Sequence, residues 1–179
     1  MRHLVFFFCC LFCVDCYAQD AIWLLVNTQK RMIQVKRGNH TLQTFEKISL
    51  GRKGAAYKQK SGDNITPLGS YKIAYINNKS HFRKFFGLNY PSIDDAGLAF
   101  QADRISYSDY QLIIQAHRMN KIPPQNTHLG GQLGIHGVGR GNKRIQGVFD
   151  WTQGCVAVSN EQIDQLASWV FLGMRVEIK

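Results

Sequence analysis

The sequence predicts a mainly β domain with peripheral helices, an α+β chain, on three observations. The front half reads as short strands joined by polar turns, and Tyr71, Ile73 and Tyr75 alternate with Lys72, Ala74 and Ile76 at the period of a half-buried strand. Helical spacing is clear in only two stretches, both in the second half.

The elements follow in order. Trp23 to Val26 and Met32 to Lys36 read as strands across a polar turn, and Arg37-Gly38-Asn39-His40 supplies a hairpin turn into Thr41 to Leu50. Gly51 to Asn64 is a basic, polar loop, after which Thr66-Pro67-Leu68-Gly69 turns the chain into the alternating strand. A helix is expected between Tyr107 and Asn120, with Tyr110, Ile113, Ile114 and His117 at i, i+3, i+4, i+7 behind a Ser106-x-x-Asp109 start; Pro123-Pro124 ends it. Leu133 to Gly137 reads as a strand that carries His136 out to a glycine turn. A second helix is expected from a Ser159 or Asn160 cap, running from Glu161 to about Phe171 with Ile163, Leu166 and Val170 inward. Gly173 stops it, and Arg175 to Lys179 closes the chain as a short strand.

The first 18 residues stand apart. Arg2 and His3, the apolar run Leu4 to Val14 and the small-residue exit Cys16-Tyr17-Ala18 read as a signal peptide cut after Ala18, leaving residues 19–179 as one domain. Acidic Asp15 argues against a lipid anchor at Cys16. No later run approaches the roughly 20 apolar residues of a spanning helix, so the expectation is an exported chain without a transmembrane span. Cleavage removes Arg2 and Asp15, one charge of each sign, so the net charge stays at +10. In that compartment nucleic acid is excluded as a partner. The basic excess fits cell-wall polymers, stem-peptide carboxylates or anionic lipid heads, or serves solubility alone.

Beyond residue 18, Cys155 is the sole cysteine, in Thr152-Gln153-Gly154-Cys155 and 19 positions after His136. A single thiol forms no internal disulfide, which leaves a buried, inert cysteine or a nucleophile. A nucleophile needs a base, and histidine is the usual one. His117 lies on an apolar helical face, His40 in a hairpin turn and His81 in a basic, aromatic segment, while His128 precedes Gly130-Gly131; only His136, with Gly137 behind it, has a position suited to a base. Gly154 lets a substrate carbonyl approach the amides of Gln153, Gly154 and Cys155, the expected oxyanion donors. Thr152 is expected to support that turn, and Asp150 reads as a turn residue.

Other chemistries fit less well. Papain-like proteases place Cys before His, caspases separate the two by about 50 residues, and a sortase needs a wider separation with a later arginine, for which Arg175 is the sole candidate. Zinc lacks ligand spacing, since only scattered His128, His136 and Cys155 are available and neither Cys-x-x-Cys nor His-Glu-x-x-His occurs; no metal is expected. Gly137-Val138-Gly139-Arg140-Gly141 lacks the helix a phosphate loop needs.

His136-Gly137, Thr152-Gln153-Gly154-Cys155-Val156 and Asn160 together resemble the signature of the L,D-transpeptidases of YkuD type. Thr66-Pro67-Leu68-Gly69-Ser70-Tyr71, Phe86 to Pro91 with Asp94-Asp95, and Pro123-Pro124 to Gly130-Gly131 are similar to further segments of that family, so the resemblance spans about Trp23 to Lys179. It implies an L,D-transpeptidase-like β-sandwich or barrel catalytic domain over residues 19–179, acting on peptidoglycan stem peptides in the periplasm or cell wall, with no cofactor. Cys155 would be the nucleophile and His136 the base, with Gln153, Gly154, Gly137 and Thr152 around the oxyanion. The acceptor would decide between cross-linking, exchange of the terminal D-amino acid and L,D-carboxypeptidase hydrolysis; a non-catalytic cell-wall-binding domain is the alternative of another class. Many members carry Arg two positions after the cysteine, where this chain has Ala157, and Ser-His or Ser-x before Gly-Cys, where it has Thr152-Gln153. Arg140 or Arg144 is therefore expected to take over the substrate carboxylate, and Asn160 either binds substrate or caps a helix.

Overall fold

A computed structural model describes residues 21–179. The expected signal peptide, residues 1–18 with Cys9, Cys10, Cys13 and Cys16, lies outside the described residues.

Hydrophobic alternation and tight turns first build a three-stranded antiparallel meander, β1 (Ile22–Asn27), β2 (Met32–Arg37) and β3 (His40–Glu46), with the Gly38-Asn39 turn where the hairpin is expected. The basic loop holds one short parallel pair, β4 (Ala55–Ala56) with β5 (Thr66–Pro67). Strands β6 (Gly69–Ser80) and β7 (Arg83–Leu88) follow, then helices α1 (Ile93–Gln101) and α2 (Tyr107–Arg118). The chain finishes with β8 (Gly134–His136), a 3-10 turn (Lys143–Ile145), β9 (Val156–Ala157), α3 (Asn160–Leu166) and β10 (Arg175–Ile178).

Eight strands form one mixed sheet in the order β3-β2-β1-β10-β6-β7-β8-β9. Strand β6 is its pivot, because residues Gly69 to Lys72 pair with β10 whereas Ile73 to Ser80 pair with β7. The register shifts between Ile73 and Tyr75, so the expected alternation holds for Tyr71 to Ile73 and then lapses, with Ala74, Tyr75 and Ile76 all half-buried. Gly87 faces the shift, where a Cβ would stand 2.1 Å from the Tyr75 ring. One apolar cluster runs from Leu24 and Ile33 through Tyr71 and Phe86 to Ile135 and Val156, so both halves of the sheet share a core.

The mainly β class with peripheral helices therefore holds, and the sheet is open rather than a closed barrel. Ser49, beyond β3, exchanges two backbone hydrogen bonds with Ala157 of β9 (2.9 and 2.8 Å), but β3 itself never pairs with β9.

The helices depart from expectation in two ways. Helix α1 is additional to the two expected; its buried residues are Asp95, Ala96 and Ala99 while Ile93, Leu98 and Phe100 are exposed, and its Ser92/Asp95 capping box is the signal that marks it. Helix α3 ends at Leu166, not near Phe171, where Ser168 and Trp169 close tight turns onto Gln165 and Leu166 and the Trp169 indole donates to Gln43 Oε1 at 2.6 Å. Its cap is Ser159, which leaves Asn160 free for another task.

Candidate active site

The parallel pairing of β8 with β9 sets the site. His136 is opposite Ala157, and strand alternation puts Cys155, two residues before Ala157, on the same side of the ladder. Both side chains line one cleft of about 710 Å³, open to solvent, together with Arg52, Lys58, Tyr75 and Trp151.

His136 is 2 % exposed and packed in aromatic rings: Phe82 lies 4.2 Å away between ring centroids, Phe85 stacks at 5.8 Å, and Trp151 meets the imidazole edge-on at 5.7 Å. Burial lowers the imidazole to about 4, against the opposing effect of its bond to Gly137, so it is neutral near pH 7. Nδ1 lies 2.6 Å from the Gly137 carbonyl oxygen, which only accepts; Nδ1 therefore carries the proton and Nε2 keeps a lone pair. That is the tautomer of a general base.

Cys155 is half-buried, and its Sγ donates to the Gln132 carbonyl at 3.7 Å; no hydrogen bond joins it to the imidazole. Burial pushes the thiol up to about 11, despite the Gly134 amide and the Lys58 charge, which favour the thiolate. Gln132 is itself held, since its N–H donates to Gln125 Oε1 at 2.6 Å while the Gln125 amide donates to the Tyr90 and Pro123 carbonyls at 2.8 Å each.

The turn before the cysteine depends on two residues. Gly154 has φ +133°, and a Cβ there would stand 2.7 Å from the Ile65 carbonyl oxygen, so both conformation and space call for glycine. Buried Thr152 accepts from the Gly154 N–H at 3.1 Å and donates to the Cys155 carbonyl at 2.7 Å. The Gly154 amide, expected as an oxyanion donor, is thus already engaged. The Gln153 and Cys155 amides carry no partner among the described residues.

Other expected site residues lie elsewhere. Arg140 and Arg144 are exposed and do not line the cleft, whose cations are Arg52 and Lys58. Buried Asn160 does not reach the cleft either. Its Oδ1 accepts from the Gly139 N–H at 2.8 Å and its Nδ2 donates to the Gly139 carbonyl at 2.9 Å, which clamps the chain just after His136-Gly137. Gly137 belongs to that close packing, because a Cβ there would stand 2.8 Å from the Phe82 carbonyl and 2.9 Å from Asn160 Oδ1. Asp150 accepts from the Leu50 N–H at 2.8 Å and pairs with Arg31, a structural role. His117 bonds to the Pro91 carbonyl at 2.7 Å, and His128 is exposed.

The cleft also contains residues that motif and spacing do not mark: Tyr75, stacked on Phe85 at 5.7 Å, and Trp151, whose indole donates to Gln146 Oε1 at 3.1 Å. The period-2 pattern around Tyr75 and the single tryptophan between His136 and Cys155 are the traces of them in the sequence. Among the described residues no group of three or more His, Cys, Asp or Glu is arranged to hold a metal ion, and no helix is long and apolar enough to cross a membrane.

The family model of YkuD, the L,D-transpeptidase catalytic domain, matches residues 21–178. No curated protein matches in sequence. Among solved structures, the helical cell shape determining protein Pgp2 from Campylobacter jejuni is similar at a TM-score of 0.61 and 20% identity, over 89% of this chain and 47% of that one. A mutant of Pgp2 gives 0.63 at 20% identity, over 91% and 48%. Bd1075 of Bdellovibrio bacteriovorus gives 0.56 at 19% identity, over 92% and 50%. The likeness is one of fold, and this chain spans about half the length of the structures it matches.

Proposed function

The chain belongs to the YkuD family of L,D-transpeptidase catalytic domains, and from that premise we propose that it is an exported cysteine acyltransferase that remodels peptidoglycan stem peptides through a thioester. The observation that carries the reading is that Cys155, on its glycine turn, and a neutral His136 line the same open cleft.

The resting pair is uncharged, so the thiol loses its proton as it attacks. With a stem peptide in the cleft, Sγ turns from Gln132 toward His136 Nε2, which takes the proton while sulfur bonds to the carbonyl carbon of the third residue, the L-centre of a diamino acid. The oxyanion so formed meets the free amides of Gln153 and Cys155; removing one donor from such a hole costs about 10² to 10³ in rate. Collapse breaks the C–N bond, and the imidazolium returns its proton to the leaving terminal D-amino acid. The thioester then passes to an acceptor: a neighbouring stem amine gives a cross-link, a free D-amino acid gives exchange, and water gives hydrolysis. Pgp2 is a cell-shape determining protein, and a part in cell shape follows here if wall cross-linking is what this cleft changes.

Mass spectrometry of muropeptides after incubation with the purified chain tests the reading. The expected result is loss of the terminal residue of tetrapeptides with a thioester adduct on Cys155, both absent in Cys155→Ala. Sacculus binding that Cys155→Ala leaves intact, with no change in muropeptides, assigns the chain to wall binding without catalysis.

A further inference from the structure

The family's usual guanidinium two positions after the nucleophile has no counterpart here, because Ala157 is fully buried in β9. The cleft has a different cationic wall. None of its lining residues is Asp or Glu, whereas Arg52 and Lys58 both face it. Lys58 is a buried ammonium paired with Asp63, and Asp63 also accepts from the Gln59, Lys60 and Ile65 amides, so much of that charge serves to hold the loop. Arg52 is exposed and has no acidic partner among the described residues.

The backbone ties Arg52 to the nucleophile. Its N–H donates to the Thr152 carbonyl at 3.0 Å, the Thr152 N–H donates to the Leu50 carbonyl at 3.1 Å, and the Gly51 N–H donates to Thr66 Oγ1 at 2.8 Å, which in turn reaches the Cys155 carbonyl at 3.5 Å. The segment carrying Arg52 is therefore laced to the turn carrying Cys155. A guanidinium in that position suits the planar, bidentate grip of a carboxylate.

We propose that Arg52, with Lys58 behind it, is the specificity residue that takes the free terminal carboxylate of the donor stem peptide. This rests on the proposed function and moves the assignment from Arg140 and Arg144, which lie outside the cleft, to a residue that lines it. The peptide's carboxylate would seat against Arg52 while its scissile carbonyl meets Cys155, so a chain end is accepted and an amidated or extended end is not.

The test uses the Cys155→Ala chain, which binds without turnover, and measures dissociation constants for a stem tetrapeptide and for the same peptide with a terminal carboxamide. The free acid is expected to bind about tenfold or more tighter, as a charge-assisted pair implies. Arg52→Gln should bring the two peptides to within about twofold of each other with an unchanged melting temperature, and Arg52→Lys should keep part of the difference. Equal binding of acid and amide, or discrimination that survives Arg52→Gln, overturns this assignment alone. If neither peptide binds, the stem-peptide reading falls and this one with it.

Discussion

At the scale of single residues, burial sets both reactive groups against the charges they would carry in water. The thiol is pushed up to about 11 and the imidazole down to about 4, so no thiolate-imidazolium pair waits at rest. Alkylation of Cys155 by iodoacetamide at pH 7 is therefore expected to run roughly a hundredfold slower than that of an unperturbed thiol and to climb until about pH 11; a fast reaction that levels off near neutrality would contradict this. His136 also bears on stability. Below pH 6.5 the unfolded chain takes up a proton that the folded imidazole refuses until about pH 4. Its contribution is complete above pH 6.5 and is lost as the pH falls toward 4, on the order of 3 kcal/mol. Urea unfolding at pH 7 and pH 4 should show the loss, and a His136→Gln chain should show less of it. Gly154→Ala would force φ +133° on a residue with a side chain against the Ile65 carbonyl. A loss of about 10² in kcat is expected from the displaced thiol, with a lowered melting temperature.

At the scale of elements, α3 serves the site through one side chain. Asn160 in its first turn holds both polar groups of Gly139, so the segment after His136 cannot drift from the helix. Asn160→Ala leaves those groups unpaired at a cost of about 1–3 kcal/mol, to be read from urea denaturation; Asn160→Asp keeps the acceptor and should recover part. Position in sequence shows where such a residue lies but not which atoms it will meet, which is why Asn160 reads equally well as a cap or a ligand before the fold is known. That Cys155 and His136 would line one cleft is legible from the start, because Cys155 is the single cysteine beyond residue 18 and a thiol nucleophile would call for a base. Tyr75, Trp151 and Arg52 are ordinary residues of a strand, a loop and a basic stretch, and only the pairing of Gly51 with Thr152 and the turn of β6 bring them to the cleft. Helix α1 is marked in the sequence by its Ser92/Asp95 capping box, and only the fold shows that it buries Ala96 and Ala99 while Ile93, Leu98 and Phe100 stay exposed.

At the scale of the whole molecule, a chain of net charge +10 with a cleft free of carboxylates would, on the proposed function, be drawn to an anionic wall by fields that salt screens. Binding to purified sacculi should weaken severalfold between roughly 0.05 and 0.5 M NaCl, as the Debye length contracts; salt-independent binding would point to apolar contacts instead. The open sheet accounts for the single core: β6 changes partner partway, and both halves then close on the same apolar cluster. The edge-on contact of Trp151 with His136 has a practical consequence. Of the tryptophans, Trp23 lies under the Arg175 guanidinium and Trp169 bonds to Gln43, both away from the cleft, so the third indole is a built-in optical gauge of what happens at the imidazole. Emission should change when the neighbouring ring takes up a proton or a thioester forms beside it, and stopped-flow light would then time acylation without a label, a signal that Trp151→Phe should extinguish.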